Sequence, residues 1–172
     1  MIMKVFQIKN KVEGFATIDF GNLDMMAIMK SGDVSSLDGK SFNWDKKLSS
    51  AISDCPFFIG AMPIFLTKKL GGVFTGNNVS TATFDVEGDK YTIISALDVV
   101  NNGLNMEFSK YRTFRSGKIM DISQYIFISD KLYPPIFTLQ EFKMFSFCDE
   151  SVAKKLASCH FKQIEIVECK NR

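Results

Sequence analysis

Histidine is almost missing from this sequence: His160 is the only one in 172 residues. A Ser/His or Cys/His nucleophile would have to use it. Its neighbour Cys159 is poorly placed for that, because adjacent side chains on a helix do not face each other. Cysteine is also sparse. Cys55, Cys148, Cys159 and Cys169 form no C-x-x-C pair, and their spacing fits no zinc framework, so no metal is expected. The sequence contains no G-x-G-x-x-G, no phosphate-binding loop, no H-E-x-x-H and no G-x-S-x-G, so no cofactor is expected either. No apolar run approaches the ~18 residues that a membrane span needs. The opening MIMKVFQIKN lacks a charged segment followed by an apolar one. The expectation is a cytoplasmic chain with its cysteines reduced and mostly buried. Charge of one sign is missing too. The net charge is +2, and the basic pairs Lys46-Lys47, Lys68-Lys69 and Lys154-Lys155 are short. Such a balance argues against electrostatic capture of nucleic acid.

What is present describes a globular protein. The length suits one domain over residues 1–172, large enough to bury a core without staples. Hydrophobic residues at 46% and charged residues at 23% exclude disorder. Phenylalanine is in excess, with 17 residues, which implies an aromatic core with any surplus facing a partner. The pattern predicts an α+β fold: a mixed, mainly antiparallel sheet with a few short helices, then a C-terminal helix and a closing strand. Strands are expected at 1–8 and 15–20, in an N-terminal β-rich part spanning 1–52. Residues 25–29 fit a short strand or a helical turn equally well. Asn43 is a candidate cap for a short helix starting at Trp44. Residues 57–59 form an apolar segment ended by Gly60. Thr67 is a candidate cap for a helix over 68–74. Residues 81–86 and 91–96 read as a hairpin around Glu87-Gly88-Asp89-Lys90, its second arm running on to Val100. Residues 104–118 are polar and mixed, with 110–115 a solvated loop or a strand edge. Short strands follow at 119–122, 125–128 and 136–139. Asp149 caps the best helix, Glu150 to Ser158, with Val152, Ala153 and Leu156 on one face. Residues 161–167 close the chain as a strand. Ile64 to Leu70 is echoed by Ile126 to Leu132, and more loosely by Phe145 to Leu156: each is a strand, a small polar cap and a helical turn.

Chemistry-bearing clusters have structural explanations close by. Asp85, Glu87 and Asp89 decorate the hairpin turn, and Asp149 and Glu150 decorate a helix start. Working as general acid and base, Asp85, Glu87 or Asp98 would make a small carboxylate-dependent hydrolase or transferase. Lys110-Tyr111-Arg112-Thr113-Phe114-Arg115 alternates aromatic and basic residues, the pattern of an RNA-stacking surface. It is a single segment in a nearly neutral chain.

The order of segments from residue 53 to 168 resembles the Imm11-type immunity proteins of bacteria, the family of domain of unknown function 1629. Ser53-Asp54-Cys55-Pro56-Phe57 matches its "pDf" segment. Pro63-Ile64-Phe65-Leu66-Thr67-Lys68-Lys69-Leu70 matches its apolar pair opening a helix. Tyr91 to Val100, with the tail Leu104 to Ser109, resembles its long central stretch, with Asn105 where the family often has aspartate. Pro135-Ile136-Phe137-Thr138-Leu139 resembles its "iFrl" strand. Met144 to Phe147, the helix at 150–158 and Phe161 to Val167 resemble its closing unit, without the glycine that usually follows the helix. The resemblance implies a cytoplasmic antitoxin that is not an enzyme. It would bind a cognate toxin, one to one, and block it sterically, with no nucleic-acid or membrane partner. Its anchors would be aromatic or charged side chains at the surface. The candidates are Trp44, Glu87, Asp89, Glu107 and Tyr111.

Overall fold

The computed structural model describes residues 2–11, 13–56 and 60–172. The expected apolar segment at 57–59 lies outside them. In chain order the elements are β1 (Val5–Asn10), β2 (Thr17–Asp19), α1 (Met25–Ser31), a 3-10 turn at Ser35–Leu37, β3 (Ser41–Asp45), β4 (Ile64–Leu66) and α2 (Thr67–Leu70). Then come β5 (Val79–Val86), β6 (Asp89–Ala96), β7 (Val99–Val100), β8 (Lys110–Thr113), β9 (Ile119–Gln124) and β10 (Ile126–Phe127). The chain ends with β11 (Ile136–Leu139), β12 (Ser146–Asp149), α3 (Glu150–Ser158), β13 (Ile164–Glu168) and β14 (Lys170–Asn171).

Two five-stranded sheets carry the fold. The first has the order β13-β1-β12-β11-β7, and the second β2-β3-β5-β6-β4. Each is antiparallel except at one pairing, β11 with β7 in the first and β3 with β5 in the second. The α+β reading with mixed, mainly antiparallel sheets therefore holds. The first sheet joins both ends of the chain, since β1 sits between β12 and β13.

The strands β6, β11 and β12 are buried on both faces for most of their length, and strand alternation sorts the buried side chains of the two sheets into three core clusters. In β6, Ile93 faces outward into a core with Trp44, Phe84 and Tyr91, while Ile94 faces the other sheet. In β12, Phe147 faces a core with Phe127, Tyr133 and Phe137, while Cys148 faces inward. The middle layer takes Ile8, Ile136 and Cys148 from the first sheet and Phe65, Ile94 and Ala96 from the second. Both α2 and α3 insert there, through Leu70 and through Val152, Ala153 and Leu156. The phenylalanine excess is thus mostly core. Among the described residues only Phe114 is an exposed phenylalanine.

Local chemistry explains where the elements depart from the sequence reading. The expected helix at Trp44 is instead strand β3. Phe42 and Trp44 lie on one face, against Phe84 and Tyr91 with ring centroids 5.3 and 5.4 Å apart, and this period-two burial overrides the capping potential of Asn43. The ambiguous segment at 25–29 is helical, because the Asp24 side chain accepts from the Ala27 N–H at 3.0 Å. The hairpin turn is tighter than expected: Val86 pairs with Asp89, leaving Glu87 and Gly88 as a two-residue loop. Both have positive φ, 50° and 97°, as a primed turn requires, and glycine meets that demand without strain. The second arm stops at Ala96, and Val99–Val100 crosses to the first sheet as β7. Of the loop and strand-edge alternatives for 110–115, residues 110–113 take the strand and pair with β9. Thr67 does not cap α2. Its hydroxyl meets that of Thr92 at 2.9 Å, and the helix ends after one turn at Gly71, φ 54° and ψ −142°.

Candidate functional site

The structure scatters the sequence-nominated side chains, and most are committed to holding the fold. Trp44 is 9% exposed and packs on Tyr91, so it is a core aromatic and not a surface anchor. Glu87 accepts from the Trp44 N–H at 3.1 Å and from Lys46 Nζ at 3.0 Å, which pins β3 to the hairpin turn. The hydrogen bond from Lys46, then that from Trp44, holds its carboxyl below the usual range. Asp89, in the same turn, is exposed. Glu107 and Tyr111 are also exposed, on the segment that enters β8. The nominated residues form two groups, Trp44 with Glu87 and Asp89, and Glu107 with Tyr111.

The carboxylates proposed for acid–base work are similarly engaged. Asp85 accepts from the Gly88 N–H at 2.9 Å and faces Lys90 Nζ at 3.6 Å. Asp98 accepts from Asn78 Nδ2 at 3.1 Å. The thiol of Cys159 lies 3.3 Å from the Lys155 carbonyl, and burial pushes its pKa up, the opposite of an activated nucleophile. Burial likewise raises Cys148 and Cys169 to about 12. His160 adopts φ 54° just past the end of α3, and its side chain is exposed. Among the described residues, no three His, Cys, Asp or Glu side chains cluster as a metal site would require.

The segments that carry the family resemblance are structural knots. Asp54 is 8% exposed. Its carboxylate meets Lys69 Nζ at 2.6 Å and accepts the N–H groups of Lys162 and Gln163 at 2.8 and 3.1 Å. Burial alone would raise its pKa. The Lys69 hydrogen bond, the two N–H groups and the lysine charge outweigh burial and lower it. This one side chain ties the segment before β4, helix α2 and the segment after α3 together. In the central stretch, the Ser109 hydroxyl bonds to the Asn105 carbonyl at 2.8 Å and receives the Ile126 N–H at 3.1 Å.

No family model matches the chain, and no curated protein resembles it in sequence. The molecule's own surface is therefore the guide to its site.

A groove of about 680 Å³ lies where α1, the ends of β6 and β11 and the start of β9 converge. Sequence reasoning did not find it, since its walls come from five separated stretches of chain. Its floor carries Met29, Met62 and Ala96, with the Ser95 and Thr138 hydroxyls. Gly60 leaves the room that Met29 occupies, because a Cβ there would lie 2.7 Å from the Met29 methyl. The lips are apolar and wet: Met26, Leu97, Val99 and Met144 are 60, 46, 41 and 47% exposed. Lys30, Lys118 and Lys143 complete the rim. Glu141 is the acidic residue of the lining, and its Oε1 accepts from the Gly103 N–H at 3.1 Å. A second hollow of about 430 Å³ is lined by threonines 67, 75, 81, 83 and 92. The hydroxyls of Thr67, Thr83 and Thr92 bond among themselves, so they already have partners.

Among the described residues, no helix is long and apolar enough to cross a membrane.

Proposed function

We propose that this chain is a bacterial immunity protein, a cytoplasmic antitoxin that binds one molecule of a cognate toxin and blocks it sterically, without turnover. The resemblance over residues 53–168 suggests the class. The observation that supports it most directly is the wet apolar groove. A surface of that kind favours docking of another macromolecule, and a blocking protein needs a surface more than an active site. Buried ties such as that of Asp54 give the rigid frame that a steric plug requires. The test is co-expression with the product of the neighbouring gene. A 1:1 complex on size exclusion, together with rescue of cells from that product, is the expected result. A neighbouring product that neither harms cells nor co-purifies would count decisively against the proposal.

A second reading draws on strand β8 and the turn after it, where Tyr111 and Phe114 are 42 and 51% exposed among Lys110, Arg112 and Arg115. Exposed rings among cations can stack bases. Arg112, however, is paired with Asp121 at 3.3 Å. Binding of a single-stranded oligoribonucleotide that weakens steeply with salt and is lost in Tyr111→Ala would favour this reading.

A further inference from the structure

Resting on the immunity reading, we infer that the methionine-lined groove is the docking site of an amphipathic, acidic segment of the toxin. Its apolar face lies on Met29 and Met62, and its carboxylates reach Lys30, Lys118 and Lys143. Three observations carry this assignment. The first is the lining. Methionine is unbranched and polarisable, so a thioether surface adapts to the side chains of a partner, and Met26, Met29, Met62 and Met144 all face this one groove. The second is charge. The three rim lysines make no ion pair and no side-chain hydrogen bond among the described residues. The acidic residue beside them, Glu141, accepts a backbone N–H through Oε1, while its Oε2 is buried without a hydrogen-bond partner among the described residues. The lining therefore sets three lysines against one carboxylate, a net positive surface, and a partner with carboxylates is the complement that speeds and orients encounter.

The third observation selects a protein segment over a small amphiphile. The apolar side chains lie at the lips as well as the floor, where a molecule held inside would leave them in water. Further exposed apolar side chains stand nearby in sequence, in the β8–β9 arm that supplies Lys118 and Ile119 to the lining. Phe114, whose N–H bonds to the Lys118 carbonyl at 2.8 Å, and Met120 are 51 and 41% exposed. A helix laid in the groove with anchors at i, i+3, i+4 and i+7 would cover floor and lips together.

The test uses the full chain and two labelled synthetic peptides of about five helical turns. Both have leucine on one face; the other face is glutamate in one and lysine in the other. The glutamate peptide is expected to bind about tenfold more tightly in low salt, an advantage that shrinks as salt screens the rim. Charge reversal of the rim (Lys30→Glu, Lys118→Glu, Lys143→Glu) inverts the preference, and Met144→Glu weakens binding of the glutamate peptide about tenfold. All four positions are exposed, and circular dichroism checks that the variants stay folded. Equal binding of the two peptides, or a preference that the reversal leaves unmoved, overturns the assignment. So does decanoate displacing the peptide at lower concentration than the peptide itself needs, since that marks a small-amphiphile pocket. The two proposals fail separately. A neighbouring gene product that co-purifies equally with wild type and the rim reversal removes the groove and keeps the immunity reading. Peptide discrimination with no toxin partner does the reverse.

Discussion

At the scale of single residues, the Asp54 carboxylate ties three separate segments of the chain together. Its two oxygens satisfy an ammonium and two backbone N–H groups in a place that is almost dry. Breaking a buried pair by removing one partner leaves the others unsatisfied, and that cost exceeds what the pair gains over a neutral substitute. Asp54→Ala is therefore expected to lose about 3 kcal/mol of stability in urea unfolding, and Asp54→Asn less, because an amide oxygen still accepts. The pH dependence follows from the lowered pKa. The folded carboxyl holds its proton less tightly than the unfolded one, so its contribution is fully present above the unfolded value, about 4. It is lost as the pH falls through the lower folded value. Wild type and Asp54→Asn should differ most near neutral pH and converge in acid. A gap that widens on acidification would show that Asp54 is not held as an ion pair. The sequence shows Asp54 as part of an Asp-Cys-Pro break and of a family-like motif. It cannot show that the partners are Lys69, Lys162 and Gln163, because two of them are more than a hundred positions away.

At the scale of elements, the helix α3 was the most legible part of the chain. Asp149 accepts from the Val152 N–H at 2.8 Å, Glu150 stands in the first turn, and Val152, Ala153 and Leu156 are buried. The signals for such a helix are local, so they survive in the sequence. The helix end was not legible. His160 occupies the left-handed position just past α3, where glycine is the usual choice, and its carbonyl accepts from Lys69 Nζ at 3.3 Å. Because the ring is exposed and the carbonyl does the holding, His160→Gly removes the backbone strain and keeps the contact. It should raise stability by up to about 1 kcal/mol; a loss in thermal unfolding would mean that the ring itself is structural. The echo seen in the sequence also resolves at this scale. In β4-α2-β5 and in β12-α3-β13 a helix joins two parallel strands that flank a third, β6 in one and β1 in the other. The closer echo in sequence, at 126–132, keeps its strand but has a turn in place of the helix. Strand β3 shows where local reading fails. Asn43 offered a cap, but Trp44 had a buried place on Tyr91, and packing outweighs a cap worth about 1 kcal/mol.

At the scale of the whole molecule, the question is whether two sheets make one cooperative unit. Adjacent residues on a strand serve different layers: Ile93 and Ile94, or Phe147 and Cys148, belong to different cores but share one backbone. Losing an outer layer therefore loosens the strand that the middle layer needs. The chain crosses between the sheets as well, from β6 in the second to β7 in the first. The groove inherits this arrangement, because its floor is built where the ends of β6 and β11 meet. That is also why no local signal announced it: its residues share a surface only once both sheets are in place. Phe84 and Phe147 test the coupling, since each is fully buried in a different outer core. Phe84→Ala and Phe147→Ala should each cost about 4 kcal/mol. Each should also lower one single unfolding transition, seen alike by far-ultraviolet circular dichroism and by the fluorescence of Trp44, which reports on the second sheet alone. Independent sheets would behave differently. Phe147→Ala would then split the melt, with secondary structure lost early and the Trp44 signal unmoved. A coincident shift of both probes would establish that the first sheet's core supports the second, and with it the groove between them.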